Sequence, residues 1–331
     1  MRNFIFEDTY ERSETDRDDN QDDPSMYSLD TNNKNHSCEI VDLRQLLKDK
    51  MSKNEIFYSF EIVSVKMPSL FYQRLLRDMD KFSPLFYALT WHNKAASSNN
   101  SYLPLDLAEN LLPPNTLLHL AVKGLKREEV IYILKKALAS GIVNIFALQG
   151  DSLSEDGDFK YAADLVTFIR EQFGAIFCIC VAGYPQMHPK SVSKELDLYY
   201  LQTKVEAGAD FIITQICFES QVFIDFVRDC RKMGIRIPII SGIFIPTSFK
   251  SYEKLVHICK LEIPIKIKDD LTQIKDDNQA VKKFAIDLTM QIITDIIRSG
   301  TTCGFHLFTL NRLPLVAEIC KRMEFLKTED L

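Results

Sequence analysis

KVEAGADFIITQICFE, residues 204–219, decides how this chain folds. Val205 and Ala207 close an amphipathic helix that begins near Val192. Gly208 follows, where a helix end calls for a positive φ free of a Cβ clash. Phe211, Ile212 and Ile213 then make an unbroken apolar run, the mark of a strand covered on both faces. Thr214 and Gln215 stand at its carboxyl end. In a parallel sheet wrapped by helices, ligands bind at that end. Polar residues closing other strands would therefore mark one shared site.

Outward from this stretch the same unit repeats. Apolar, β-branched or aromatic runs occupy 57–63, 85–91, 117–122, 144–148, 177–182, 211–217, 237–243 and 305–310. Amphipathic stretches separate them at 70–82, 105–111, 127–139, 161–173, 192–207, 221–233, 252–261 and 280–298. Strand and helix alternate eight times, which predicts right-handed parallel crossovers and a (β/α)₈ TIM barrel, an α/β fold of about 250 residues. A doubly wound open sheet is the rival, but it needs fewer strands, and its GxGxxG fingerprint after the first strand is missing. The charged segment 261–279 interrupts the pattern and predicts one extra short helix. Leu43, Leu46, Leu47 and Met51 have helical spacing and predict a lead-in helix, and 313–325 predicts a last one.

The totals narrow the function classes. A chain of 331 residues can bury a large core, and 46% hydrophobic residues is ordinary for a globular protein. A net charge of −6 without a basic patch argues against nucleic acid. No apolar run reaches membrane-spanning length, and MRNFIFEDTY lacks the apolar core of a signal peptide, so the expected setting is cytoplasmic. The eight cysteines are scattered with no CxxC pair, which favours buried thiols over disulfides or a metal. Residues 1–40 are acidic and poor in apolar side chains, so they are expected to be a disordered tail, with 41–331 forming one barrel domain. A homo-oligomer is left open.

Polar residues close most of the strands. They are Glu61, then Thr90, Trp91 and His92, then His119, then Gln149, Gly150 and Asp151, then Tyr184 and His188, then Gln215, and last Asn311 and Arg312. Each has a bland alternative. Glu61 could be an interior carboxylate paired with Lys or Arg, and composition alone favours that. A lone His119 in an apolar strand is more often a core histidine than a catalyst. Asp151 could cap a turn or the next helix. Gln215 could satisfy backbone groups, and Arg312 could bond helix carbonyls. Spacing alone therefore leaves an enzyme on an α/β barrel whose reaction is open.

Several longer pieces go further. In order they are SFE (59–61), LTWH (89–92), LLH (117–119), ALQGD (147–151), YAADLV (161–166), CVAGYPQMHP (180–189), the stretch quoted first, SGIFIP (241–246) and GFHLFTLNR (304–312). In this order they resemble the catalytic domain of 5,10-methylenetetrahydrofolate reductase over about residues 43–325. The resemblance implies a barrel that holds FAD without a Rossmann motif. It also implies a ping-pong reaction: NADPH or NADH reduces FAD and leaves, and methylenetetrahydrofolate then takes the hydride to become 5-methyltetrahydrofolate.

By the same resemblance Glu61 is the general acid, and Asp151 is the acidic residue beside the flavin ring. FAD contacts carry over to Thr90, Trp91, His119, Gly150, Asp151, Tyr161, Ala162, Tyr184, His188, Asp197 and Lys204. A cationic Lys204 suits a pyrophosphate, and Asp197 suits ribose hydroxyls. Gln215 matches the pterin-bonding residue. Arg312 matches a cation near the folate tail. Phe218 is an aromatic wall for folate or nicotinamide, with core packing an equal alternative.

Departures from the family pattern are also visible. Gln149 stands where Arg is usual, which removes a charge near FAD. Ser64 and Val65 replace Pro-Pro, which is expected to loosen the loop behind Glu61. Phe308 replaces a common Tyr. These departures keep a second reading open, a catalytically impaired FAD-binding homologue acting through partner contacts. By the resemblance, eukaryotic relatives usually carry a C-terminal regulatory domain that binds S-adenosylmethionine; the sequence ends after the barrel, so that inhibition is expected to be absent. The acidic tail leans the donor towards NADPH.

Overall fold

The computed structural model describes residues 40–91, 103–150 and 156–326. His92, Asp151 and nearly all of the acidic tail lie outside these residues.

Eight parallel strands close into a barrel in chain order. They are β1 (Phe57–Ile62), β2 (Tyr87–Leu89), β3 (Thr116–Ala121), β4 (Asn144–Leu148), β5 (Cys178–Gly183), β6 (Phe211–Thr214), β7 (Ile239–Phe244) and β8 (Gly304–Phe308). The helices, in chain order, are α1 (Leu43–Ser52), α2 (Ser69–Asp80), α3 (Leu103–Asn110), α4 (Arg127–Ala139), α5 (Ala162–Phe173) and α6 (Lys194–Glu206). They continue with α7 (Ser220–Lys232), α8 (Phe249–Cys259), α9 (Ile265–Gln273), α10 (Asn278–Arg298) and α11 (Leu313–Leu326). The expected TIM barrel is thus present, and the charged interruption contributes α9. β8 closes the cylinder on β1 with Ser59 opposite His306.

The continuous apolar runs reflect burial on both faces. Phe57, Leu117, Phe146, Cys180, Phe211 and Ile240 belong to a cluster inside the barrel. Their alternates Phe60, Leu118, Ile145, Ile179, Ile212 and Leu307 pack outward with the helices. At the amino ends of the strands, α1 plugs the cylinder with Leu43 and Leu47. Asn144 fixes it there, its Oδ1 accepting from the Leu43 N–H at 3.0 Å and its Nδ2 donating to the Val41 carbonyl at 2.9 Å. That leaves the carboxyl ends as the mouth.

The stretch that opened the reading behaves as its residues require. α6 ends at Glu206, and Gly208 follows with φ +115°. A Cβ there would lie 2.9 Å from Arg170 Nε. Arg170 instead bonds the Gly208 carbonyl, from Nε at 3.0 Å and from Nη2 at 2.7 Å, and Nη2 also meets Asp210 at 2.7 Å. Asp210 in turn accepts from the Ile179 N–H, so the turn sets the entry of β6 beside β5.

Some boundaries differ from the sequence reading. β2 keeps only three residues in the sheet. β6 stops at Thr214, because Gln215 and its successors turn away to form the mouth. α6 begins at Lys194, with Ser193 as its cap, and its amphipathic character is weak. Leu198 and Leu201 are buried while Tyr199 and Tyr200 are more than half exposed. Among the described residues no helix is long and apolar enough to cross a membrane.

Candidate active site

Glu61 lies on the inner face of β1 near its carboxyl end and is 3% exposed. No ion pair joins it to Lys or Arg among the described residues, so the paired-carboxylate alternative is not what the fold builds. Its Oε2 accepts from the Leu310 N–H at 3.4 Å. Burial disfavours the charged form and pushes the carboxyl up to about 7, and the Leu310 N–H opposes this. Such a carboxyl is half protonated near neutrality and can act as an acid.

The loop behind Glu61 is pinned, which corrects the expected loosening at Ser64 and Val65. Ser64 is buried, its N–H donating to Thr90 Oγ1 at 3.1 Å and its hydroxyl to the Thr90 carbonyl at 2.6 Å. The Val65 N–H donates to the Tyr72 hydroxyl, which returns a bond to the Val65 carbonyl. Side-chain bonds replace the stiffness that prolines would have supplied.

Beneath Glu61 in the barrel, Ser59 Oγ and His306 Nδ1 are 2.8 Å apart. His306 is fully buried and stacks on Phe86, with Phe308 edge-on at 4.7 Å. Burial lowers its pKa to about 3, so it is neutral. Its Nε2 has no hydrogen-bond partner among the described residues. The sequence reading did not single out His306. The signal was its alternation with Gly304 and Phe308, which turns it inward.

The residues expected to hold a dinucleotide spread over neighbouring units. Thr90 is buried just after β2. Trp91 beside it packs into the outer core, so its ring serves the strand–helix interface. His119 on β3 meets Phe146 edge-to-face at 4.8 Å. Gly150 adopts φ +85° at the end of β4, and a Cβ there would press on Ala121. The Gln149 side chain donates to the Lys160 carbonyl at 2.8 Å, tying the strand end to the start of α5. Tyr161 caps that helix and is 54% exposed, and Ala162 opens it.

Tyr184 and His188 meet edge-to-face at 4.6 Å after β5. Asp197 accepts the His188 N–H, and its pKa is raised by burial. Lys204 reaches in from α6, its buried Nζ donating to the Ala182 carbonyl at 2.6 Å. Burial lowers that ammonium to about 8, and Asp197 opposes the shift.

The remaining candidates line the opposite side of the mouth. Gln215 is 5% exposed, with its Oε1 accepting from the next N–H, that of Ile216. Phe218 is edge-on to Tyr252 at 5.6 Å and borders, with Phe244 and Pro246, a small apolar recess that Ala285 and Leu288 of α10 also line. Arg312 is exposed and donates to Thr247 Oγ1 at 3.2 Å. The mouth therefore holds a protonatable carboxyl on β1, a polar arc with a buried ammonium from β2 to α6, and an aromatic flank at β6–β8.

Known proteins resemble this chain in sequence and in fold. The family model described as methylenetetrahydrofolate reductase matches residues 46–324. A probable methylenetetrahydrofolate reductase (NADPH) of Caenorhabditis elegans is 33% identical over 87% of this chain and 45% of its own length. Methylenetetrahydrofolate reductase (NADH) 1 of Arabidopsis thaliana is 33% identical over 80% of this chain and 48% of its own. The chain thus spans about half the length of these relatives. Among solved structures, an uncharacterised Clostridium thermocellum protein that binds 5-methyl-5,6,7,8-tetrahydrofolic acid superposes with a TM-score of 0.60 at 14% identity. It covers 85% of this chain and 99% of that one, a likeness of fold. On the matched length and these identities, the chain belongs to the methylenetetrahydrofolate reductase family.

Proposed function

We propose that this chain reduces 5,10-methylenetetrahydrofolate to 5-methyltetrahydrofolate, with FAD as resident cofactor and NADPH or NADH as donor. The observation that carries the reading is Glu61, a buried carboxyl with no cationic partner among the described residues, its pKa raised to about 7 at the mouth of the barrel.

The arc from β2 to α6 fits FAD by the chemistry of its donors. The ammonium of Lys204 suits a pyrophosphate, Asp197 suits ribose hydroxyls, and the tight Gly150 turn keeps a side chain out of the mouth. Bound there, FAD supplies the hydride chemistry between the nicotinamide nucleotide and the folate. The chain's own work is positional and electrostatic. Glu61 gives its proton to the nitrogen that departs as the folate's five-membered ring opens, and it becomes a carboxylate stabilised by the Leu310 N–H. Gln215 would release its backbone bond to read the pterin edge, and Arg312 would meet the carboxylates of the tail.

Replacing Glu61 with Gln keeps the shape and removes the acid. In stopped-flow measurements the folate half-reaction of Glu61→Gln should fall by at least ~10²-fold while flavin reduction by the nicotinamide nucleotide persists. If both half-reactions keep their wild-type rates, Glu61 is not the acid.

A further inference from the structure

The turn between β8 and α11 has a backbone that needs explaining. Leu310 and Asn311 are consecutive non-glycine residues in the left-handed region, at φ 49° and 58°. Asn tolerates that region, but Leu enters it only at an energetic cost. Something must hold the pair there.

Asn311 is the holder. Its Oδ1 accepts from the Val63 N–H and its Nδ2 donates to the Val63 carbonyl, both at 2.8 Å. One amide thus clips the turn to the residue two beyond Glu61. Thr309 makes the second fastening. Its hydroxyl donates to the Glu61 carbonyl at 2.7 Å and accepts from the Asn311 N–H at 3.0 Å. The turn closes with the Arg312 N–H on the Thr309 carbonyl. The left-handed geometry aims one further group, the Leu310 N–H, at Glu61 Oε2.

We infer that Asn311, with Thr309, is a positioning residue that holds the Leu310 N–H against the Glu61 carboxyl and thereby sets how readily Glu61 gives up its proton. As a device for the acid, this rests on the proposed function. The contact, at 3.4 Å, is longer than the roughly 2.7–2.9 Å of a charge-assisted bond. At that length it favours the carboxylate only weakly, and it is placed to strengthen when the carboxyl ionises.

Other groups around Glu61 have settled partners or positions. On β8 the inward titratable side chain is His306, neutral and bonded to Ser59. On β2 Tyr87 is bonded to Asp80 of α2. Arg312, at the end of the same turn, is exposed. Further round the barrel stand His119 on β3 and the Lys204–Asp197 pair on α6. Among the described residues, the Leu310 N–H of the β8–α11 turn is the group bonded to the carboxyl.

The test reads Glu61 directly. The carbonyl stretch of its protonated carboxyl, identified by its loss in Glu61→Gln, is followed by infrared difference spectroscopy across pH. Asn311→Gly keeps the left-handed backbone and removes the clip. Thr309→Val removes the hydroxyl and serves if the first variant does not fold. Releasing a bond that favours the carboxylate should raise the titration midpoint by roughly 0.5–1 pH unit. Thr309→Ser, which keeps the hydroxyl, should return it to the wild-type value. A midpoint that stays or falls in the folded variant overturns the inference. Wild-type turnover is measured separately. If the midpoint moves but the wild type reduces no folate, the proposed function fails and the positioning stands.

Discussion

Glu61 concentrates the chemistry because its carboxyl is buried with no cation paired to it among the described residues. The cost appears in stability. In the folded chain the carboxyl is raised from its ordinary 4.5 to about 7, so the folded state holds a proton that the unfolded chain has released. Below about 4.5 both states are protonated and burial carries no charge penalty. As pH rises from about 4.5 to 7 stability is lost, at about 1.4 kcal/mol for each unit separating the two values, and above that the loss is complete. Glu61→Gln cannot ionise. Denaturant titrations should therefore show the variant gaining on the wild type between pH 4.5 and 8, by up to a few kcal/mol. A difference that does not change with pH would mean the carboxyl is ordinary.

Other residue contacts were out of reach of the sequence. The Ser59–His306 pair and the Asn311 clip to Val63 join residues 247 and 248 positions apart. Both exist because β8 lies against β1, and no local pattern encodes that register. The placement of Trp91 was also hidden: it follows β2 and packs in the outer core cluster.

At the scale of elements, the turn from α6 into β6 shows sequence and structure in agreement. Gly208 was expected to end the helix, and its φ of +115° requires it. The sequence could not show that Arg170 of α5 would occupy the space of the missing Cβ and bind the Gly208 carbonyl and Asp210. Gly208→Ala meets both strains. It should destabilise the barrel by roughly 1–3 kcal/mol in urea unfolding, with Arg170 displaced. A variant as stable as the wild type would show that the turn relaxes freely. The strands and most helices were legible because a strand buried on both faces is uniformly apolar while its helices are striped. Strand ends were less so. β6 leaves the sheet after Thr214 although Ile216 and Cys217 remain apolar and buried, Ile216 in the inner cluster and Cys217 in the outer one.

For the molecule as a whole, closure divides the labour. α1 fills the amino end, so the interior can open only at the carboxyl end. There the eight units bring Glu61, His119, Gln215 and the β8–α11 turn together from across the chain. The resemblance supplied roles for these residues, and the fold supplied the reason they meet.

The central claim is that this mouth binds flavin and moves a hydride to folate, and the visible spectrum of the purified protein tests it most directly. Under anaerobic conditions, a flavin band should bleach with NADPH or NADH and return on adding 5,10-methylenetetrahydrofolate. A protein that shows no flavin band even with added FAD, or a band that neither donor bleaches, would contradict it.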